Sequence, residues 1–342
     1  MNRTRALLKK AAWSLFTILF VIVLNFFLFR VLPGDPARAG IRDPRLKKDA
    51  IEALRMRFGL DKPVINCFES LNPIKLGSCT VNPLDTQFFI YVRNLAQGEL
   101  GFSYHTNRPV GDILAERLWN TVLLIGAGQI LSIIIGMTFG IVAAWKMRTP
   151  VDFAAVSASL VAWSLPTFWL GIILLFWGSY SGLPLAGKAT PGMSSMPVTQ
   201  QWFDIAQHLF LPTLTYTIVY MGEYTLIMRS SLMDVLSEDY ILTAKAKGLS
   251  TFQILKDHAL KNAMLPLVTV IAINLGFTVA GAIQIETVFS WPGLGLSIYE
   301  AVGRRDFPVL QGAFILIAIA VIIANFLADL TYTYLDPRVR TE

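Results

Sequence analysis

An all-α integral membrane protein with six transmembrane helices is the fold class this sequence predicts, on three observations. The 342 residues are 54% hydrophobic and only 15% charged, with a mean hydropathy of +0.55, which is too apolar for an ordinary soluble domain. Six apolar stretches approach or exceed the roughly 20 residues that a helix needs to cross a bilayer core. Lys and Arg gather in short connections between alternate stretches, as in loops held on the cytoplasmic side. The net charge of +6 and the pI near 9.3 follow from those loops, so no nucleic acid partner is implied.

The first span, 13–32, follows Arg3, Arg5, Lys9 and Lys10, a start that a signal peptide would share. Its apolar run exceeds the roughly 7–15 residues of a signal core, and Arg30-Val31-Leu32-Pro33 offers no small-residue cleavage site. The span is therefore expected to be retained, with 1–33 forming an N-terminal tail and first helix. Residues 34–117 form an external segment large enough to fold in water. Further spans are expected at 121–145, 153–180, 210–228, 265–285 and 309–332 within a membrane domain at 118–333, followed by a tail at 334–342. Six spans put both ends in the cytoplasm, together with Lys146, Arg148, the region from Arg229 to Lys261, and Arg338 with Arg340.

Cys67 and Cys79 lie in one part of the external segment, in a compartment where thiols oxidise. Asn72-Pro73 and Gly77-Ser78 between them favour a chain that turns back on itself. A disulfide is the expectation, and closing such a loop removes about 3 kcal/mol of unfolded-chain entropy in the simple model. Two unpaired thiols packed as small apolar groups are the alternative.

Between the fourth and fifth spans the stretch 237–262 reads as a charged helical hairpin. Ser237 is expected to cap a helix whose first turn holds Glu238 and Asp239, where acids suit the positive end of the dipole. Tyr240, Thr243, Ala244, Lys245, Ala246 and Lys247 complete that helix. Gly248 takes the left-handed position that stops it, Leu249 follows, and Ser250 with Gln253 has capping-box spacing for a second helix. A structure this polar cannot sit in lipid. It either meets a partner in water or is merely a solvated loop.

Polar residues inside spans need partners, because an ionised side chain at mid-bilayer costs roughly 2.5–3.5 kcal/mol. Glu223 is thus expected to face protein or water, paired with Arg229, exposed at the interface, or on a solute pathway. Asn25, Gln129, Asn274 and Gln284 are candidates to line a polar passage or to bond a neighbouring helix. Gly136 and Gly140 have the spacing of a close helix contact.

Signals for catalysis are poor. Gly182-Leu183-Pro184-Leu185-Ala186-Gly187-Lys188 begins like a phosphate loop, but Ala189 stands where Ser or Thr must hold magnesium. His105, His208 and His258 lack zinc-ligand spacing, and no metal site or catalytic residue is assigned.

The hairpin motif Thr243-Ala244-Lys245-Ala246-Lys247-Gly248-Leu249-Ser250 with His258 to Pro266 resembles the cytoplasmic loop of ABC importer permeases of the dipeptide, oligopeptide and nickel type. Leu242-Thr243 replaces the Glu-Ala that opens the general motif, and the glycine-to-proline spacing is longer than in sugar permeases. Leu32-Pro33-Gly34-Asp35-Pro36, Phe58-Gly59-Leu60-Asp61-Lys62-Pro63, Gly98-Glu99-Leu100-Gly101-Phe102-Ser103, Ser164-Leu165-Pro166-Thr167-Phe168-Trp169 and Asp306-Phe307-Pro308 extend the likeness. So does Glu286 to Gly295, in which Pro292-Gly293 holds the central positions of a type II turn. Trp119 stands where that family usually has proline, and 64–87 departs as an insertion.

This resemblance implies a type I (MetI-like) permease fold across 118–333. It also implies a subunit that is not itself an enzyme and carries no cofactor, with ATP and Mg held by partner ATPase subunits. The implied partners are a second homologous permease, two ABC ATPases, an extracytoplasmic solute-binding protein and membrane lipid, in a bacterial cytoplasmic (inner) membrane. The hairpin residues from Glu238 to Leu249 would couple ATPase closure to movement of the spans. The implied function is ATP-driven import, most closely of peptides. An ion-coupled secondary transporter or channel is the rival reading, which inverted repeats and a charged midplane relay would favour, and an intramembrane enzyme is the more distant one.

Overall fold

The computed structural model describes residues 3–31, 86–278 and 283–335. Cys67 and Cys79 lie outside these residues, as do Leu32 to Pro63, Arg338 and Arg340. All regular elements among the described residues are helices, and extended pairing is confined to one bridge between Phe102 and Pro109. The helices are α1 (Arg3–Phe26, continued by a π-helical turn Phe27–Val31), α2 (Gln87–Ala96), α3 (Val110–Trp145), α4 (Pro150–Ser164), α5 (Thr167–Ser181) and α6 (Val198–Leu236). They continue with α7 (Asp239–Ala246), α8 (Thr251–Gln253, passing into a π-helical turn Ile254–Ala259), α9 (Leu260–Thr278), α10 (Ile283–Val288), α11 (Leu294–Arg304) and α12 (Phe307–Leu335).

Lys9–Phe29, Val110–Trp145 and Phe307–Phe326 are each long and apolar enough to cross a membrane. They match the first, second and sixth expected spans. The third expected span, 153–180, is not one straight helix, because α4 and α5 meet at a bend of 100°. Leu165 (φ −69°, ψ 131°) is extended, the geometry that a following proline imposes, and Pro166 then opens α5. Each helix has 15 residues, about 22 Å of rise, which is short of a bilayer core of about 30 Å. Counting the bent pair as one span, the described helices supply four of the six expected. The expected span 210–228 lies inside α6, where Thr213, Thr215, Thr217 and Thr225 lower the hydropathy yet are all buried. The expected span 265–285 runs from α9 into α10 across residues 279–282, which are not described.

The chain divides into two compact units, Met1–Trp119 with Leu296–Ile322 and Asn120–Gly295 with Ile323–Glu342. In the first, Phe26 is fully buried among the rings of Phe27, Phe88 and Tyr91 at 5.2–5.8 Å. Asn25 bonds neighbouring helices there, donating to the Gln311 carbonyl at 3.3 Å and accepting from the Tyr91 hydroxyl at 3.4 Å. Asp306, just ahead of α12, is buried and gathers the 103–106 turn. It accepts the Tyr104 amide at 3.0 Å, the His105 amide at 3.4 Å and the Ser103 hydroxyl. Two landmarks far apart in sequence, Gly98 to Ser103 and Asp306 to Pro308, are thereby one structural feature.

In the second unit α6 is the axis on which α4, α5 and α9 pack. The C-terminal part of α3 reaches α6 through small residues. A Cβ on Gly136 would stand 2.6 Å from the Met221 carbonyl oxygen and 2.7 Å from Tyr224 Cβ, and one on Gly140 2.7 Å from the Thr225 carbonyl oxygen. The helix approach expected of this glycine pair is therefore real. Gly128 and buried Ser132 extend the same four-residue stripe toward Tyr216.

The turn after α10 departs from expectation. Gly293 lacks the positive φ that a type II turn demands, and its amide donates to the Trp291 carbonyl at 2.7 Å. Its need for glycine is spatial, since a Cβ there would stand only 2.4 Å from the Glu286 carboxyl carbon. Glu286 is fully buried and accepts the Thr121 hydroxyl at 2.7 Å, and that same oxygen of Thr121 accepts the Leu294 amide at 2.7 Å. Trp291 closes the turn, donating its indole N–H to the Asn120 carbonyl at 2.9 Å.

Candidate functional site

Between α6 and α9 the chain forms the hairpin, with one correction to its expected caps. Ser237 (ψ −9°) is still helical and closes α6, its hydroxyl donating to the Asp234 carbonyl at 2.6 Å. An N-cap needs extended backbone, which Glu238 has at φ −71°, ψ 147°. Asp239 lies in the first turn of α7 and Lys245 in the last, matching the dipole. Gly248 has φ +77°, its amide donates to the Lys245 carbonyl at 2.9 Å and the Leu249 amide to the Ala244 carbonyl at 3.4 Å. These are the two bonds of a Schellman stop. Ser250 and Gln253 form a reciprocal capping box at 3.3 and 3.0 Å.

The hairpin has two faces. Ile241, Ala244, Ile254, Leu255 and Ala259 are buried in a cluster with Met228 and Leu232 of α6 and Ala263 and Leu267 of α9. The wide π-helical turn brings both Ile254 and Leu255 inward while Lys256 and Asp257 stay exposed. Burying Ile241 alone contributes about 1.5–3 kcal/mol. The other face carries Glu238, Asp239, Tyr240, Thr243, Lys245, Ala246 and Lys247, all exposed, with Leu242 and Phe252 at 68% and 60% exposure. Ala244 is an internal spacer and Leu249 is half-buried against the same cluster, so neither belongs to the exposed face. Asn262 ties the two legs together by donating to the Tyr240 hydroxyl at 2.8 Å.

A second polar feature lies on α6. Gln129 of α3 is buried, with its carbonyl oxygen accepting the Tyr216 hydroxyl at 2.7 Å and its amide nitrogen donating to the Tyr224 hydroxyl. Asn274 of α9 donates to that hydroxyl at 2.9 Å and to the Glu223 carboxylate at 3.2 Å. Tyr220 stacks on Tyr216 with centroids 4.2 Å apart. Three of the five polar residues singled out as candidates for a polar passage, Gln129, Glu223 and Asn274, thus share one network, whereas Asn25 bonds Gln311 and Tyr91. Gln284 stays out of it, exposed on α10. The tyrosines at 216, 220 and 224 were missed as members, although their four-residue spacing is a readable stripe.

Glu223 does not pair with Arg229. That guanidinium binds Asp152 of α4 with both ends, at 2.6 and 2.8 Å. Asp152 sits three positions into α4 and also accepts the Arg148 amide at 2.9 Å. The pair ties α4 to α6 near the start of the hairpin's supporting cluster.

Comparison with known proteins agrees with this architecture. Residues 136–341 match the family described as binding-protein-dependent transport system inner membrane component, and 3–125 match the family for the N-terminal part of such membrane components. The chain belongs to this family and is an ABC importer permease, embedded in the membrane. A probable peptide ABC transporter permease of Sinorhizobium fredii, y4tP, is 34% identical over 98% of this chain and 98% of its own length. A putative peptide permease of Brucella suis is 36% identical, covering 94% of this chain and 95% of its own. The glutathione transport system permease GsiC of Escherichia coli is 35% identical over 95% of each. Among solved structures, the inward-facing MetNI methionine ABC transporter has a chain that aligns with a TM-score of 0.54 at 16% identity, over 66% of this chain and 96% of that one. That likeness establishes the MetI-type fold.

Proposed function

We propose that this chain imports peptides and that its hairpin, 237–262, is the dock for cytoplasmic ATPase subunits. The observation that carries the reading is the two-faced hairpin. One face is locked into α6 and α9 by Ile241, Ala244, Ile254 and Leu255, and the other leaves Leu242 and Phe252 in the open among charges. A push on the exposed face therefore reaches two long helices through a packed cluster rather than through a loose loop. The relatives named for peptides and for glutathione support the substrate class. In this reading a second homologous permease completes the pathway, a solute-binding protein delivers cargo outside, and two ATPases hold ATP and Mg. This chain performs no hydrolysis and binds no cofactor. Both termini face the cytoplasm, and Cys67 and Cys79, on the outside, form a disulfide, so mass spectrometry after alkylation without reduction finds neither cysteine labelled.

The test is uptake of a labelled peptide into proteoliposomes holding the full complex. Uptake requires ATP and survives collapse of the ion gradients. Leu242→Ala with Phe252→Ala weakens ATPase capture by about 2 kcal/mol, the scale of an interface hot spot, and leaves the fold intact. Proton-driven uptake by this chain alone would overturn the reading in favour of an ion-coupled carrier.

A further inference from the structure

Among the described residues, Glu223 is a carboxylate without a cation. Its hydrogen bond is to the neutral Asn274 amide at 3.2 Å, and Arg229, six positions on, is engaged by Asp152. No ion pair among the described residues includes Glu223. Such a group inside a helix expected to cross the membrane is costly unless it meets water or a positive charge. The neighbouring sides of α6 are closed at this level. Gly222 abuts the Ser159 carbonyl of α4, and Tyr224 and Thr225 abut Gly136 of α3. Glu223 and Tyr220 are both half-buried, on a side of the helix that keeps some access. Tyr220 is fixed there by stacking on Tyr216, itself held by Gln129.

A carboxylate beside an aromatic face suits a primary ammonium group, which brings three donors and a charge that the ring attracts. We infer that Glu223 and Tyr220 form a binding site for the α-ammonium group of a peptide in transit. This rests on the peptide-import reading above. Glu223 supplies the charge, Asn274 positions its carboxylate, and Tyr220 covers the bound amine. A free peptide amine is distinguished here from the same peptide acetylated, which keeps its shape but has neither the charge nor two of the donors.

The experiment titrates tri-alanine and N-acetyl-tri-alanine, by calorimetry, into the permease–ATPase complex in lipid nanodiscs without the binding protein, whose own selectivity would mask the effect. The free amine binds wild type about tenfold or more tightly than the acetylated form, the scale of a hydrogen-bonded charge. Glu223→Gln removes that difference by weakening tri-alanine alone and leaves the acetylated peptide where it was. Tyr220→Leu narrows the difference. Equal affinities in wild type, equal losses for both peptides in the variant, or no binding of either at millimolar concentration would overturn the site. A basic residue of the second permease seated on Glu223 would give the first of these results. Uptake of tri-alanine by the complete system separates the two levels. Uptake without amine preference in the titration refutes this site alone, whereas absence of any peptide uptake refutes the proposed function.

Discussion

Gly248 is the residue at which the hairpin is most exposed to a single change. Its φ is +77°, yet a Cβ built there meets nothing within 4 Å, so a substitution tests backbone conformation without steric interference. Left-handed backbone costs an L-residue about 1–2 kcal/mol, less for Asn, which tolerates it, and up to about 3 kcal/mol for a β-branched residue. The opposing quantity is the anchor Ile241, whose burial contributes about 1.5–3 kcal/mol. Gly248→Asn should therefore keep the hairpin docked, Gly248→Ala should loosen it slightly, and Gly248→Val should bring strain and anchor level. Two measurements read this in the same proteoliposomes. The ratio of peptide imported to ATP hydrolysed should fall in the order Asn, Ala, Val, and tryptic cleavage after exposed Lys245 and Lys247 should accelerate in that order. If Val keeps both the wild-type ratio and protease resistance, the strain argument fails. If Asn is as damaging as Val, the position matters as a contact surface and not for its φ.

Gly136→Ala places a methyl 2.6 Å from the Met221 carbonyl oxygen and should destabilise the complex by about 1–3 kcal/mol. Gly303→Ala, which meets nothing within 4 Å and has no positive φ, should be neutral or stabilising by up to about 1 kcal/mol, and equal melting shifts for the two would refute the packing account. Asp152→Asn leaves Arg229 with a neutral partner and should lower the melting temperature by the equivalent of about 3 kcal/mol, much of which Asp152→Leu combined with Arg229→Met should recover. Asp204 makes stability depend on acid. Burial pushes its carboxyl up, but the Thr190 hydroxyl at 2.7 Å and amide at 2.8 Å, with His208, outweigh this and hold it below its ordinary value of 3.8. A depressed folded value means that the contribution is present above 3.8 and is lost as pH falls further. Fluorescence of Trp202 should therefore be flat from about pH 7 down to about 4 and change below that, with Asp204→Asn abolishing the transition.

Features of the fold governed by neighbours in sequence were legible before the structure. The stop at Gly248, the Ser250–Gln253 box and the Gly136–Gly140 approach each depend on a few adjacent residues whose chemistry allows few alternatives. Ser237 misled because Ser is a good cap at either of two neighbouring helix ends, and only ψ decides which. The bend after Ser164 was visible as Leu165-Pro166, but hydropathy sums a window without regard to direction and merged two short helices into one span. Partners distant in sequence were the least legible. Arg229 lies much nearer to Glu223 along the chain than to Asp152, and nothing in the sequence says that α4 would supply the closer carboxylate. The tyrosine stripe on α6 was passed over because the Tyr216 and Tyr224 hydroxyls find their partners on other helices.

The turn after α10 binds two positions into a single unit of change. Glu286 has its carboxyl carbon 2.4 Å from where a side chain at position 293 would begin, so neither residue can be altered as though the other were free to vary. Replacing Gly293 with Ala should be tolerated only alongside a shorter residue at 286, and that shortening in turn withdraws the acceptor from the Thr121 hydroxyl, which itself accepts the Leu294 amide. A chain that had drifted at one of these sites would have to cross through a poorly packed intermediate before reaching another workable combination. The acid and the glycine should therefore be exchanged together or not at all, and anyone redesigning this loop should treat 121, 286, 293 and 294 as one variable with very few allowed values.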